Sequence, residues 1–436
     1  MSKMKKTALI WYRNDLRIED HPGLFNATQT HETVLACFAF DPRHFATDRW
    51  GFKKTERYRA QFLIETVEAL QKQLEQLNIR LFISHQAPEK FISSLVDSYQ
   101  VSSIYVQDEW TTEEKEVENG VRDAISDEVI WNRHQRQFLY EPSDVPMRTD
   151  QTPEVFTVFR KKCEKYARVK PALAAPQPMP QENLKGDKST LPTLNDLGLQ
   201  NFSKDSRSAF PFEGGTAAGM HRLHHYFWKH QKLSYYKNTR NGLVGLDYSS
   251  KFSAWLANGS LSPKMIYEEV KRYEQEVTKN QSTYWLIFEL LWRDYFKYIS
   301  LKHGSKIFHL GGILDRDYSW DKSPKKFVQW AQGETREAFV NANMLELMHT
   351  GWMSNRGRQN VASYFAKDLL MDWRMGAAYF ESLLIDYDVH SNYGNWLYVS
   401  GVGNDPRDRK FNIGSQAERY DPQGKFQQLW LQPRLL

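Results

Sequence analysis

The densest group of chemically useful side chains lies near the C-terminus, in LLIDYDVHSNYGNWLYVSGVGNDP at residues 383–406. Asp386, Asp388 and Asn392 offer two carboxylates and an amide to a heterocycle, and Trp396 falls one helical turn beyond Asn392. Upstream, STYWLIFELLWRDYFKYI reads as a helix with Glu289, Trp292, Arg293 and Phe296 on one face. Ile287, Phe288, Leu290 and Leu291 surround Glu289, so its carboxylate needs a partner, either Arg293 one turn on or a ligand. TGWMSNRGRQNVASYFAKDLLMDWRMG sets Asn355, Arg358, Gln359, Ala362 and Ala366 along one helical face. That face is either a polar trough for a flat ligand or a close helix contact at the alanines, and Arg358 to Asp386 is its natural ion pair. In SYYKNTRNGLVGLDYSSKFSAWLANGSLSP, Ser249, Ser250 and Ser253 gather hydroxyls at a predicted helix start. The arrangement suits a phosphate and equally suits plain capping.

Composition sets the frame that must hold these residues. The chain has 436 residues, 41% hydrophobic and 25% charged, which describes a folded, water-soluble protein large enough for two domains. Two cysteines leave no disulfide framework and no metal-ligand spacing. No stretch is long and apolar enough for a membrane helix. The opening MSKMKKTALIWYR is cut short by Arg13 with no cleavage site after it, so a cytoplasmic location is expected. Aromatic residues reach 14%, more than core filling demands. Charge is divided unevenly: residues 1–130 carry 16 Lys and Arg against 21 Asp and Glu, and the remainder carries 42 against 32. A basic, aromatic-rich C-terminal part suits a polyanion with flat bases, or is simply a solvated surface.

Short apolar and aromatic runs at 7–12, 34–40, 80–84, 103–107 and 129–131 alternate with helical patterns, most clearly Glu56 to Leu77. Strands alternating with helices predict a parallel sheet. WYRNDLR stands where a glycine-rich dinucleotide fingerprint would follow the first strand, so a nucleotide is not expected there in the usual way. Residues 134–210 are rich in Pro, Gln, Ser and Lys, with KPALAAPQPMPQENLKGDKSTLP the clearest linker signal and a short helix expected around Glu154 to Tyr166. The expected organisation is an α/β domain at 1–133, a long linker at 134–210 and an all-α domain at 211–436.

ELLWRDYFKYISLKHG, TGWMSNRGRQNVASYFAKDLLMDWRMGAAYFESLLIDYDVHSNYGNW and GVGNDPRDRKFN together resemble the photolyase and cryptochrome family, specifically its DASH-type cryptochromes. ALIWYRNDLRIEDHPGL resembles the family's opening strand and FPFEGGTAAGMHRLHHYFW its hinge, so the resemblance covers nearly the whole chain. It implies a Rossmann-like domain with a five-stranded parallel sheet, joined to an all-α FAD-binding domain. Tyr236, Ser249, Ser250, Lys251, Phe252 and Ser253 would hold the pyrophosphate and ribose. Asp386, Tyr387 and Asp388 would line the isoalloxazine, Asn392 would face its N5, and Arg358 would pair with Asp386. Trp396, Trp373 and Trp320 match the family's electron relay, while Trp330 and Trp352 fall at packing positions. Glu289, Trp292 and Asn355 match the family's dimer-contacting positions, with Arg240 and Gln416 toward the phosphate strand.

The implied activity is blue-light repair of cyclobutane pyrimidine dimers, with photoexcited reduced FAD as electron donor. The alternative is a blue-light photoreceptor that regulates transcription by binding DNA. Tyr398 replaces a second pocket tryptophan of duplex-repairing relatives and Gln359 replaces a methionine. Both changes weaken the aromatic grip, which points to dimers in single-stranded or looped DNA. The expected state is a monomer acting on DNA, with RNA as a second nucleic-acid candidate. Glu109 sits where the family contacts a folate antenna, 5,10-methenyltetrahydrofolate, although DEWTTEEKE reads equally as a solvated acidic loop.

Overall fold

In the computed structural model, which describes residues 5–405 and 407–432, the first third forms a single five-stranded sheet. Its strands are β1 (Lys5–Trp11), β2 (His31–Ala39), β3 (Leu81–Ser84), β4 (Ser103–Gln107) and β5 (Ile130–His134). All neighbours run parallel in the order β3-β2-β1-β4-β5. Helices α1 (Pro22–Thr30), α2 (Arg57–Gln76), α3 (Pro88–Tyr99) and α4 (Thr112–Asp123) connect them. Alternation along β1 explains the double burial: Ala8 and Ile10 join the core under α2, whereas Leu9 and Trp11 join the core under α3. The strand order reverses between β1 and β4, which opens a crevice at their carboxyl ends.

The segment 134–210 is laid across this domain as ordered chain. It contains α5 (Phe156–Tyr166), and Met179, Leu194, Leu197 and Leu199 enter the core beside α2. Asn183 fastens it to the sheet, its side chain accepting from Val34 N and donating to Val34 O, both at 2.9 Å. The polar composition is real, but its spaced apolar residues are enough to dock the segment.

Helices then follow one another: α6 (Thr216–His224), α7 (Tyr236–Thr239), α8 (Ser253–Ala257), α9 (Pro263–Glu276) and α10 (Gln281–His303). They continue as α11 (Pro324–Ala331), α12 (Ala338–Thr350), α13 (Asn355–Ser363), α14 (Trp373–Leu383), α15 (Val389–Ser400), α16 (Ile413–Tyr420) and α17 (Lys425–Leu431). The central helix α10 starts with a reciprocal capping box between Asn280 and Thr283. A short π-helical turn at Tyr364–Asp368 follows α13. Among the described residues no helix is long and apolar enough to cross a membrane.

The helical domain makes buried polar contacts with both the linker segment and the α/β domain. Asp294 of α10 accepts Leu139 N at 3.0 Å and Tyr140 N at 2.9 Å, and burial raises its pKa to about 6. Arg17 donates to Gly259 O at 2.8 Å. Gly259 has a φ of +73°, and a Cβ there would lie 2.0 Å from Asn14 O, so only glycine lets the α/β domain approach this closely.

Candidate functional site

A cavity of about 470 Å³ lies inside the helical domain, walled by α10, α13, the start of α15 and the loop before α8. Its lining includes Tyr236, Arg240, Ser249, Ser250, Lys251, Phe252, Ser253, Glu289, Trp292, Asn355, Arg358, Gln359, Asp386, Asp388 and Tyr398. Residues scattered over more than 160 positions of sequence thus face one space.

The serine loop owes its shape to a buried arginine that no motif singled out. Arg222 of α6 donates to the carbonyl oxygens of Leu246, Ser249 and Ser250 at 3.2, 3.0 and 3.2 Å, and to Asp247 Oδ1 at 2.6 Å. Three carbonyls are thereby drawn away from the cavity. Helix α8 has only five residues and Phe252 at its N-cap makes no side-chain cap. The serines therefore serve as hydroxyl donors, and the helix dipole contributes little. Burial pushes the adjacent Tyr236 phenol well above its ordinary value.

Lys251 carries the clearest mark of an anionic ligand. Its ammonium is buried without a hydrogen-bond partner, 3.1 Å from the ring centroid of Tyr248 and 4.8 Å from that of Trp352. Burial drives its pKa well below the ordinary lysine value, against the pull of Glu346 and Asp386. An unpaired buried ammonium is costly, and a phosphate would relieve it. A cavity of this size and lining fits a dinucleotide such as FAD, with Lys251 and the serine hydroxyls toward its phosphates. Tyr248 and Trp352 were not expected here: Trp352, a packing position by resemblance, does stack on Phe210 at 4.7 Å but also walls the cavity.

On the opposite wall Arg358 Nη2 grips both oxygens of Asp386 at 2.9 Å, the ion pair that the spacing anticipated. The trough of α13 ends at Gln359: Ala362 and Ala366 are buried in helix packing, with Ala366 inside the π-helical turn. Between α14 and α15 the chain leaves the helix, so neighbouring side chains diverge. Asp386 faces the cavity, while Tyr387 faces the crevice of the α/β domain with Arg59 4.7 Å above its ring. Tyr387 is thus not on the wall expected for it. Asp388 Oδ1 caps α15 at Ser391 N (2.8 Å) and its Oδ2 accepts from Lys297 at 3.1 Å. Burial opposes its charge, but Lys297, His390 and Arg293 hold its pKa far below the carboxylate range.

Helix α15 presents Ser391 and Asn395 to the cavity. Asn392 is buried beside them and donates to Ala377 O at 3.0 Å, which fixes its amide orientation. Trp396, one turn on, packs against Phe380, Phe365 and Trp330 at 5.2, 5.9 and 6.4 Å. Trp373 is fully buried and donates to Leu310 O at 3.0 Å, and half-buried Trp320 packs on Tyr318. Trp396 and Trp373 are thus buried in the helical core, and Trp320 is the one of the three that reaches solvent. Trp330, assigned to packing, touches Trp396 directly.

Toward solvent the cavity becomes a polar and aromatic mouth. Glu289 pairs with Arg240 at 2.8 Å, whereas Arg293, the partner that helical spacing offered, donates instead to Leu256 O and Gln137 O. Burial raises the Glu289 pKa and Arg240 opposes the rise. Tyr398 meets Trp292 edge-on at 6.0 Å, and Gln359 accepts from Arg356 at 2.8 Å. Gln416 on α16 lies outside the lining, and Arg409 is a lining residue that sequence reasoning missed.

A second cavity of about 780 Å³ fills the crevice at the β1 and β4 carboxyl ends, closed by the helical domain. Glu109 lines it, accepts from Gln107 at 2.9 Å, and has its pKa raised by burial. Asp388, Arg293 and Ala257 line both cavities, so the dividing wall is one side chain thick.

Among the described residues one grouping, Asp15, His21 and His134, has the spacing of metal ligands. His21 Nδ1 accepts from Leu24 N at 2.9 Å, which places the ring proton on Nε2, the atom 2.9 Å from Asp15. That nitrogen has no free lone pair for a metal, and the grouping reads as a buried carboxylate held by two imidazoles.

Sequence-family models match at residues 8–181 (DNA photolyase) and 285–435 (FAD binding domain of DNA photolyase). A cryptochrome DASH of Gloeobacter violaceus is 47% identical over 98% of this chain and 85% of its own length. The chain belongs to the DASH cryptochromes. One from Xenopus laevis is 46% identical over 96% of this chain and 81% of its own. The crystal structure of a Synechocystis cryptochrome superposes with a TM-score of 0.94 at 44% identity, covering 99% and 89% of the two chains. A class III photolyase from Agrobacterium tumefaciens shares the fold, with a TM-score of 0.82 at 23% identity over 99% and 87%. This DASH cryptochrome is therefore a blue-light flavoprotein whose FAD-binding domain contains the 470 Å³ cavity.

Proposed function

We propose that this DASH cryptochrome repairs cyclobutane pyrimidine dimers in single-stranded or looped DNA under blue light. The observation that carries the reading is continuity: Glu289, Trp292, Asn355 and Arg240 line the same cavity as the serine loop, Arg358 and Asp386. A damaged base entering the mouth would lie against the cofactor with no protein between them. FAD, bound and reduced, supplies the light-absorbing one-electron donor.

The chain's own residues receive the dimer. Trp292 offers a stacking surface, and Glu289 and Asn355 offer hydrogen-bonding groups to the pyrimidine edges. Arg240 now neutralises Glu289; once a strand phosphate takes Arg240, burial keeps a proton on the Glu289 carboxyl, which donates to a pyrimidine carbonyl. Arg358 and Asp386 fix the inner wall, and Lys251 with the serines would hold the phosphates of the cofactor. Trp396, Trp373 and Trp320 give an aromatic route outward for recharging. In the larger crevice, which Glu109 lines, a folate antenna such as 5,10-methenyltetrahydrofolate would bind against that side chain.

Tyr398 and Gln359 explain the substrate form. A phenol and an amide grip a flipped base less strongly than an indole and a thioether, so the cost of unstacking a duplex is not met. A single strand or loop has little of that cost left to meet. The test is irradiation of the reduced protein with a dimer-containing oligothymidine, single-stranded and in duplex. Restored thymine absorbance in the single strand, with little in the duplex, is expected. Equal affinity for damaged and undamaged DNA with no conversion would replace this reading with a DNA-binding blue-light sensor.

A further inference from the structure

Aromatic rings continue outside the cavity in a way the repair chemistry does not use. On α10, Trp285, Phe288 and Trp292 recur at i, i+3 and i+7 and share a face. Phe156, the first residue of the linker helix α5, is inserted between them. It stacks on Trp292 at 3.7 Å and 13°, and meets Phe288 edge-on at 5.2 Å. Phe288 in turn stacks on Trp285 at 4.6 Å. The result is an aromatic ladder running from the mouth of the cavity to the N-terminal turn of α10.

Cations sit along the ladder. Arg160, one turn after Phe156 on α5, lies 5.4 Å over Phe288, and Lys237 and Arg240 lie 4.6 and 5.7 Å over Trp285. Apart from the ring, the Lys237 ammonium donates to Gln281 Oε1 at 2.7 Å, a neutral partner that it can exchange for a phosphate. Two acidic side chains face the ladder: Glu164, engaged by Tyr284 and within 3.7 Å of Arg160, which also donates to Tyr284 Oη, and Glu289, paired with Arg240 at 2.8 Å. Trp285 and Phe288 are partly exposed and lie outside the cavity lining.

We infer that this ladder is a docking track for the single strand that flanks the base in the cavity, its bases stacking on Trp285 and Phe288 while Arg160 and Lys237 take its phosphates. The occupant follows from charge complementarity and from continuity with the mouth: flat rings interleaved with flexible cations suit an unpaired strand, whose bases are free to stack. A duplex, with its bases already stacked, cannot use the rings. The inference rests on the nucleic-acid reading above and extends it to the neighbouring nucleotides.

The test uses undamaged oligothymidine in the dark, so repair need not occur. The affinity of the FAD-loaded protein for a ten-nucleotide strand is divided by that for a dinucleotide, for wild type, Trp285→Ala, Trp285→Phe and Lys237→Met. Loss of stacking in Trp285→Ala is expected to reduce this ratio by about 5- to 150-fold, with Trp285→Phe recovering most of it. Lys237→Met is expected to lower the slope of log affinity against log salt by about 0.7, one phosphate on a single strand. An unchanged ratio in folded, FAD-loaded Trp285→Ala overturns the track. Tighter binding of oligouridine than of oligothymidine overturns the assignment to DNA. A wild type that does not prefer dimers would refute the repair reading and leave the ratio test standing.

Discussion

Gly376 sets up a contest between two effects of known size. It lies in α14 one turn after Trp373, and an added Cβ would sit 2.3 Å from Cη2 of Trp396, with Cζ3 and Cζ2 at 2.8 and 2.9 Å. Carbon atoms pack best at about 3.5–4.0 Å, so Gly376→Ala overlaps three ring atoms by roughly 0.6 to 1.7 Å. The ring has no retreat: Trp396 is 2% exposed and walled by Phe380, Phe365 and Trp330. Helix propensity favours alanine by about 1 kcal/mol. Overpacking costs about 1–3 kcal/mol, and the rigid aromatic wall places this site toward the upper end. A net loss of about 1–2 kcal/mol follows, a drop in Tm of roughly 2–8 °C for a domain of this size. Scanning calorimetry of the FAD-loaded protein measures it. Gly414→Ala is the control, because its Cβ would meet only Asn412 Oδ1 at 3.5 Å, and no loss is expected. A Gly376→Ala protein as stable as Gly414→Ala would refute the claim that the α14 to α15 contact is rigid around Trp396.

Arg358→Met leaves the Asp386 carboxylate, 2% exposed, without its counter-charge. About 3 kcal/mol of stability should be lost, together with FAD retention on gel filtration, read at the flavin visible band. Burial raises Glu346 to about 8, so the folded chain keeps a proton that the unfolded chain, titrating near 4.3, releases. Stability from this group is complete below about pH 4 and declines up to about pH 8, and Glu346→Gln should flatten the fall of Tm over that window. The double variant Tyr398→Trp with Gln359→Met should tighten binding of dimers in duplex DNA by about tenfold, measured by fluorescence anisotropy, with single-strand binding changed less.

Much of the site was legible in the chain because its chemistry is local. Arg358 and Asp386 are long-range in sequence, yet each stands on a helix face whose period can be counted, and their pairing needed only opposite charge. The serine loop announced itself by composition. Three features were hidden. Tyr387 shares a motif with Asp386 and Asp388, but a break in helix at 384–388 turns it to the other cavity. Glu289 was offered Arg293 by i,i+4 spacing, whereas Arg240 reaches it from the C-cap of α7. The linker read as spacer, yet Phe156 carries it into contact with Trp292.

What the sequence determined alone was the order of elements and the residues able to do chemistry, because strand alternation, helix period and capping are properties of neighbours along the chain. Tertiary structure decided which residues share a space. It decided that Arg222 holds the serine loop, that Lys251 is left without a hydrogen-bond partner, and that Phe156 joins the rings of α10. The reason is physical: burial and contact depend on how separate helices dock, and no period along one segment records the side chain that arrives from another.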